Sequence, residues 1–188
     1  KETLLMDLTS LKEEPVRAML NASGCEVIGC HPLFGPTVTC LEGYNVILCP
    51  ARSKTWFPWL KAIFERHRAV VTVTSPEEHD RMMAVVQVLN HLHTIHLGMM
   101  LEQDERSILA LQTWSTPVFE QKLEMIRKVF QDQPDMYAEI LVKNAHLERI
   151  CTLYRDTFDL LERTVRTKDS SEMINLIGRT KAKLWPKP

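Results

Sequence analysis

The sequence predicts an α/β region followed by an all-helical one, divided near residue 76. Three observations predict it. Up to Ser75, short β-branched runs alternate with amphipathic ones, the pattern of strands and helices in an α/β sheet. After Ser75-Pro76 the β signal stops. Finally, 188 residues with 45% hydrophobic and 25% charged side chains suffice for a buried core and are too apolar for disorder.

Taken in order, "TLLMDLT" reads as a buried strand, and "EEPVRAMLNAS" as a helix with Pro15 in its first turn and Gly24 just beyond it. "EVIGC" is the next strand, "NVILCP" another, "TWFPWLKAIFERH" a helix interrupted near Pro58, and "AVVTVT" the last strand. This alternation predicts mainly parallel pairing. Ser75 can cap a helix that has Pro76 at its first position and Glu77 and Glu78 at the positive end of its dipole. That helix runs to about Leu101 and is apolar on nearly all sides, as expected of one enclosed by other helices. Its Met82–Leu101 stretch has the length of a membrane span, but Gln87, Asn90, His91, His93, Thr94 and His96 would be costly in lipid. A second helix begins near Pro117. A third begins at Pro134 and carries one heptad-like seam from Tyr137 through Ile140, Asn144, Leu147, Cys151, Tyr154, Phe158 and Leu161 to Val165. A last one follows Ser170 and ends near Trp185. Residues 1–76 and 77–188 are thus expected as two domains.

The net charge of −1 gives no basic surface for nucleic acid. Cys25, Cys30, Cys40, Cys49 and Cys151 are odd in number and form no C-x-x-C pair, which suits reduced thiols in a cytoplasm better than disulfides or zinc. No other metal site is expected: His93 and His96 lie three apart without an acidic or Cys ligand beside them. The chain opens on Lys1-Glu2 with neither signal peptide nor initiator Met, which reads as a fragment or a trimmed chain.

The residues that could carry chemistry begin with His31, where a strand meets "HPLFGP". Imidazole moves protons near neutral pH, and open α/β sheets bind ligands beyond the carboxyl ends of their strands. Pro32 and Pro36 would hold that ring rigidly; alternatively the prolines merely end a strand. Ser10 and Lys12 emerge after the preceding strand as a hydroxyl and a cation, or else Asp7, Thr9 or Ser10 simply caps the next helix. Arg127 and Lys128 are a solvated basic edge or an anion grip facing His91 from a neighbouring helix.

Together, Asp7-x-x-Ser10-x-Lys12, Gly29-Cys30-His31-Pro32-Leu33-Phe34-Gly35-Pro36, Ser75-Pro76-Glu77-Glu78-His79-Asp80 and His91 resemble the prephenate and arogenate dehydrogenase family in order and spacing. Ser115-Thr116-Pro117-Val118-Phe119 and Pro134-x-Met136-Tyr137-Ala138 are similar to the dehydrogenase part of its bifunctional chorismate mutase fusions. The resemblance implies the C-terminal half of a Rossmann-like NAD(P)-binding domain followed by a helical dimerisation domain. It also implies NAD- or NADP-dependent oxidative decarboxylation of prephenate to 4-hydroxyphenylpyruvate in tyrosine biosynthesis, by a homodimer. In that reading His31 is the catalytic base, Ser10 orients the substrate hydroxyl, Lys12 belongs to the same block, and His91 faces the substrate. Lys128 stands where the family has a carboxylate-gripping arginine, with Arg127 beside it, and Glu120 replaces a second arginine of the fusions. The six glycines form no G-x-G-x-x-G, so the cofactor's glycine-rich cradle is missing and the chain alone is expected to be incomplete for cofactor binding. Two rivals remain at this point: the same chemistry on arogenate or an amino-substituted prephenate, and a non-catalytic dimerisation or ligand-binding module.

Overall fold

The structure, a computed structural model, describes residues 3–186, so the Lys1-Glu2 start lies outside the described residues. Four strands, β1 (Leu4–Asp7), β2 (Glu26–Pro32), β3 (Asn45–Arg52) and β4 (Val70–Val73), form one sheet in the order β1-β2-β3-β4. The pairing is mixed. β1 with β2 and β3 with β4 are parallel, whereas β2 and β3 are antiparallel, with His31 opposite Ile47. The reason lies in the connections. Helix α1 (Glu13–Ala22) carries the chain back between β1 and β2, and α2 (Trp56–Arg66) does so between β3 and β4, but residues 33–44 form no helix. Without a crossover helix the chain returns antiparallel. This loop is stapled by an edge-on Phe34–Tyr44 contact, centroids 5.3 Å apart, and by the Leu33 N–H on the Asn45 carbonyl at 3.0 Å.

One sheet face packs Ile28, Cys30, Val46, Leu48, Leu60 and Ala69 into an apolar core. On β2, Gly29 is where a side chain would not fit: a Cβ there would lie 2.7 Å from Val16 Cγ2 and 2.9 Å from Lys12 Cδ. Its absence lets α1, and with it Lys12, settle directly on the strand before His31. Pro58 does not interrupt α2. It sits in the first turn, where a missing N–H leaves no helical bond unmade, and Glu26 accepts the N–H groups of Lys54, Thr55 and Trp56 instead.

The expected helix from Pro76 is present as α3 (Pro76–Met83), a π-helical stretch (Ala84–Leu89) and α4 (Asn90–Glu102). Ser75 caps it, its hydroxyl accepting the Glu78 N–H at 3.2 Å. It is not enclosed on all sides. Met83, Ala84, Val88 and Thr94 are buried, but Met82, Val85, Val86, Met99 and Met100 are exposed. After a short helix α5 (Ile108–Gln112), which begins at a Ser107 cap the sequence reading did not anticipate, come α6 (Pro117–Arg127), a second π-helical turn (Lys128–Asp132) and α7 (Pro134–Lys143).

The single seam expected from Tyr137 to Val165 is broken. Asn144 is extended, and α8 (Leu147–Arg166) starts afresh, followed by α9 (Ser170–Leu184). Asn144 is buried; its Oδ1 accepts the His146 N–H at 2.9 Å and its Nδ2 donates to the Asp80 carbonyl at 3.1 Å. An asparagine that turns its own backbone in this way competes with helix continuation. The described residues form two compact units, divided after Leu147. No helix among them is long and apolar enough to cross a membrane. All five cysteines are unpaired, and burial pushes the Cys30 and Cys49 thiols up to about 12.

Candidate active site

The parallel β1–β2 pair brings two strand ends to the same edge, so the loop 8–12 and His31 arise side by side. There the structure builds a buried polar chain. His31 Nδ1 lies 2.8 Å from His79 Nε2, and His79 Nδ1 lies 2.7 Å from Asp80 Oδ1. Asp80 in turn accepts the backbone N–H of Lys12 on Oδ1 at 2.8 Å and that of Glu13 on Oδ2 at 3.0 Å. These last two donors are the start of α1, so the carboxylate satisfies helix N–H groups that otherwise lack partners and sits at the positive end of the dipole. Exposure is 4% for His31, 1% for His79, 4% for Asp80 and 0% for Lys12, so all of these bonds but the part-buried one from Glu13 are dry.

Burial is also what sets the charge states. It holds His31 neutral, down to about 3, with further push from His79 and from the Lys12 cation against the weaker pull of Asp7 and Asp80. For Asp80, burial works to raise the carboxyl, but the His79 hydrogen bond and the Glu13 and Lys12 N–H groups outweigh it, and the group stays below its usual range. Beside this chain, the Lys12 ammonium is ion-paired with Asp7 and hydrogen-bonded to Thr9 Oγ1 at 3.2 Å. The other Asp7 oxygen, Oδ1, is buried with no hydrogen-bond partner among the described residues. The cation is therefore part of the interior rather than a mobile group at the strand edge.

The remaining candidates are placed as follows. Ser10 is half-buried and lines a cavity of about 350 Å³ with Leu8, Pro15, Met136, Glu139 and Lys143, so α7 forms its far wall. His91 is half-buried on α4, packed edge-on against Tyr137 with centroids 4.7 Å apart, and burial lowers its basicity. Arg127 is exposed and bonded to Glu124 at 2.7 and 2.9 Å, one helical turn back. Lys128 is exposed at the start of the second π-helical turn, a segment that packs on α4. Neither joins the network around His31. No group of His, Cys, Asp or Glu among the described residues could hold a metal ion.

His79 and Asp80 are the functional candidates that reading the sequence had not singled out as site residues. The available signal was a His-Asp pair within two turns of a strongly capped helix start. Its connection to His31, 48 residues away, is tertiary.

Among the described residues no glycine-rich turn offers a pyrophosphate cradle for a dinucleotide. The one turn from a parallel strand into α1, Leu8–Lys12, contains no glycine, and the space beside Gly29 is filled by Val16 and Lys12.

Comparison with known proteins completes the description. Residues 1–73 match a family model described as the nucleotide-binding domain of prephenate dehydrogenase, and residues 75–179 one described as its dimerization domain. A probable arogenate/prephenate dehydrogenase of Methanocaldococcus jannaschii is 31% identical over 93% of this chain and 40% of its own length. The T-protein of Enterobacter agglomerans is 30% identical over 86% of this chain and 44% of its own length. This chain thus spans roughly two-fifths of the length of those relatives. Among solved structures, Synechocystis arogenate dehydrogenase has a TM-score of 0.76 at 17% identity, covering 96% of this chain and 68% of that one. Prephenate dehydrogenase from A. aeolicus, in complex with hydroxyphenyl propionate and NAD+, has a TM-score of 0.79 at 22% identity, covering 96% and 66%. Both share the fold.

Proposed function

We propose, because this chain belongs to the prephenate dehydrogenase family, that it serves the oxidative decarboxylation of prephenate to 4-hydroxyphenylpyruvate in cytoplasmic tyrosine biosynthesis, with His31 as the base. The hydride acceptor in this reading would be a nicotinamide dinucleotide, NAD or NADP; the sequence holds no G-x-G-x-x-G to cradle its pyrophosphate. The observation that carries the reading is the state of His31: buried, neutral and tied through Nδ1 to His79, with no hydrogen bond through Nε2 among the described residues. Such a ring is a weak base, and the reaction needs no stronger one. As hydride departs from the carbinol carbon, the hydroxyl becomes a protonated carbonyl, whose proton a neutral imidazole takes readily. Proton loss then accompanies hydride loss rather than preceding it. Release of carbon dioxide leaves its bonding pair in the ring, and the phenolate so formed takes the proton back from His31 to complete the phenol.

Around that step, Ser10 orients the ring hydroxyl from the cavity wall. Lys12 acts by holding the Ser10 loop, with its ammonium on Asp7 and its N–H on Asp80. His91 contacts the substrate from α4. Lys128 grips a substrate carboxylate in preference to Arg127, whose fork Glu124 occupies. Lys128→Ala should raise KM roughly tenfold with kcat kept, and Lys128→Arg should keep affinity. Steady-state kinetics in which both variants match the wild-type KM would remove Lys128 from the site.

The assembly is a homodimer. Its support is the apolar surface left open on single elements: Met82, Val85 and Val86 on the long helix, Leu153, Phe158, Leu161 and Val165 on α8, and Ile174 and Ile177 on α9. Sedimentation at micromolar concentration should give about twice the chain mass of 21.8 kDa, and a species at that mass alone would refute the dimer.

The deciding experiment for the activity measures nicotinamide reduction with prephenate and with arogenate, separately, by the enzyme that carries this chain. Turnover of either establishes the reaction class, and the larger kcat/KM names the substrate. The rival reading, a non-catalytic ligand-binding or dimerisation module, predicts binding of either acid without turnover.

A further inference from the structure

A base that must accept a proton at Nε2 needs its own ring proton on Nδ1, and imidazole alone does not enforce that choice. The residues packed against His31 do. Both oxygens of Asp80 already accept N–H groups from the first turn of α1, and the carboxyl is held ionised, so towards His79 it is an acceptor only. His79 Nδ1 must then carry a proton and donate it at 2.7 Å. In the neutral ring this leaves His79 Nε2 as a lone pair, and the 2.8 Å contact to His31 Nδ1 closes only if His31 donates. The lone pair of His31 is thereby placed on Nε2.

We propose that His79 and Asp80 are positioning residues that hold His31 in the tautomer protonated on Nδ1, through two hydrogen bonds in series that end on Asp80, itself anchored on the first turn of α1. The catalytic part of this assignment rests on the function proposed above; the tautomer itself does not. The alternative arrangement, with a proton on His79 Nε2, would turn the 2.8 Å bond around and leave His31 with Nε2–H, a donor where an acceptor is required. The relay has a second consequence. Asp80 spans α3 and α1 while His79 reaches β2, so the ring's orientation is set by three elements at once rather than by the loop "HPLFGP" alone. A side chain acting through another in this way shows in kcat rather than in KM.

The test combines ¹⁵N–¹H spectra of the histidine rings, with the His31 signals assigned by His31→Asn, and kinetics of the enzyme that carries this chain. Wild-type His31 should show Nδ1 protonated and Nε2 bare. His79→Leu, which offers no acceptor, should yield a mixture of His31 tautomers and lower kcat by about 10²-fold with KM within about twofold. In His79→Gln the amide oxygen stands near the place of Nε2 and can accept from His31, so tautomer and kcat, to within about tenfold, should return. Wild-type spectra with Nε2–H on His31 would overturn the proposal, even if His79→Leu failed to fold. So would a folded His79→Leu variant with unchanged tautomer and kcat. Absence of turnover by the wild type with either acid, alongside the expected spectra, would overturn the catalytic reading and leave the tautomer assignment supported.

Discussion

Replacing His31 by asparagine is expected to lower kcat by about 10²–10⁴, with fold and assembly intact. Asparagine keeps a polar group of nearly the same reach, so it can still meet His79, but it offers no nitrogen lone pair to a departing proton. His91→Asn should act instead mainly on KM. The pH profile makes the assignment sharper. The base works in its neutral form, and burial, followed by His79 and the Lys12 cation, brings its folded value from the ordinary 6.5 down to about 3. The acidic limb due to His31 itself should therefore lie near pH 3, well below that of a free imidazole. The sign for stability follows from the same depression: the unfolded chain takes up this proton near pH 6.5 and the folded one does not, so stability is lost as the pH falls from about 6.5 towards 3. Near-normal turnover in His31→Asn would hand the role of base to another group.

Asp7→Ala is expected to destabilise the chain by about 3–5 kcal/mol, a large share of the roughly 5–15 kcal/mol that holds a typical domain. The reason is what it strands. Lys12 is fully buried, with its ammonium on Asp7 and Thr9, and removing the carboxylate leaves a cation without a counter-charge or access to water. The pair itself is not expected to contribute anything like that amount, since burying both ions is costly. Asp7→Ala combined with Lys12→Met should accordingly recover most of the loss. Urea unfolding checks both, and a midpoint for the single variant equivalent to less than about 1 kcal/mol would show the lysine relaxing to solvent.

What was legible in the sequence was the local punctuation. Ser75-Pro76 and Thr116-Pro117 start helices where they should, because a capping hydroxyl and a fixed φ act within four residues, and Pro134 does so by its fixed φ alone. The strand carrying His31 was equally plain. Less legible was whatever depends on a partner distant in sequence. The antiparallel β2–β3 pair follows from a loop that fails to form a helix, and the break at Asn144 from a side chain that finds the Asp80 carbonyl, 64 residues away. Neither leaves a periodic trace. Nor does a π-helical turn, whose apolar residues look like those of an α-helix. Among the candidate residues, His31 and Ser10 announce themselves by their place after strands, whereas Lys12 reads as a free cation until Asp7 is seen against it, and His79 as one more helix histidine until its ring meets β2.

The absence of a crossover helix between β2 and β3 also bears on the order in which the chain gains structure. Parallel pairing of β1 with β2, or of β3 with β4, must wait for α1 or α2 to form and dock. The hairpin through residues 33–44 has no such prerequisite, and its Phe34–Tyr44 staple is local. Hairpins of this kind close in about 1–10 μs, ahead of pairings that need a long excursion. Truncations at Val27 or Leu48 should therefore slow folding, with φ-values well above those at Val71 on β4, where the same loss should mainly speed unfolding. The strand that bears His31 would then be among the first parts of the sheet to find its register, and the helices that supply Lys12, His79 and Asp80 would assemble onto an imidazole already in place.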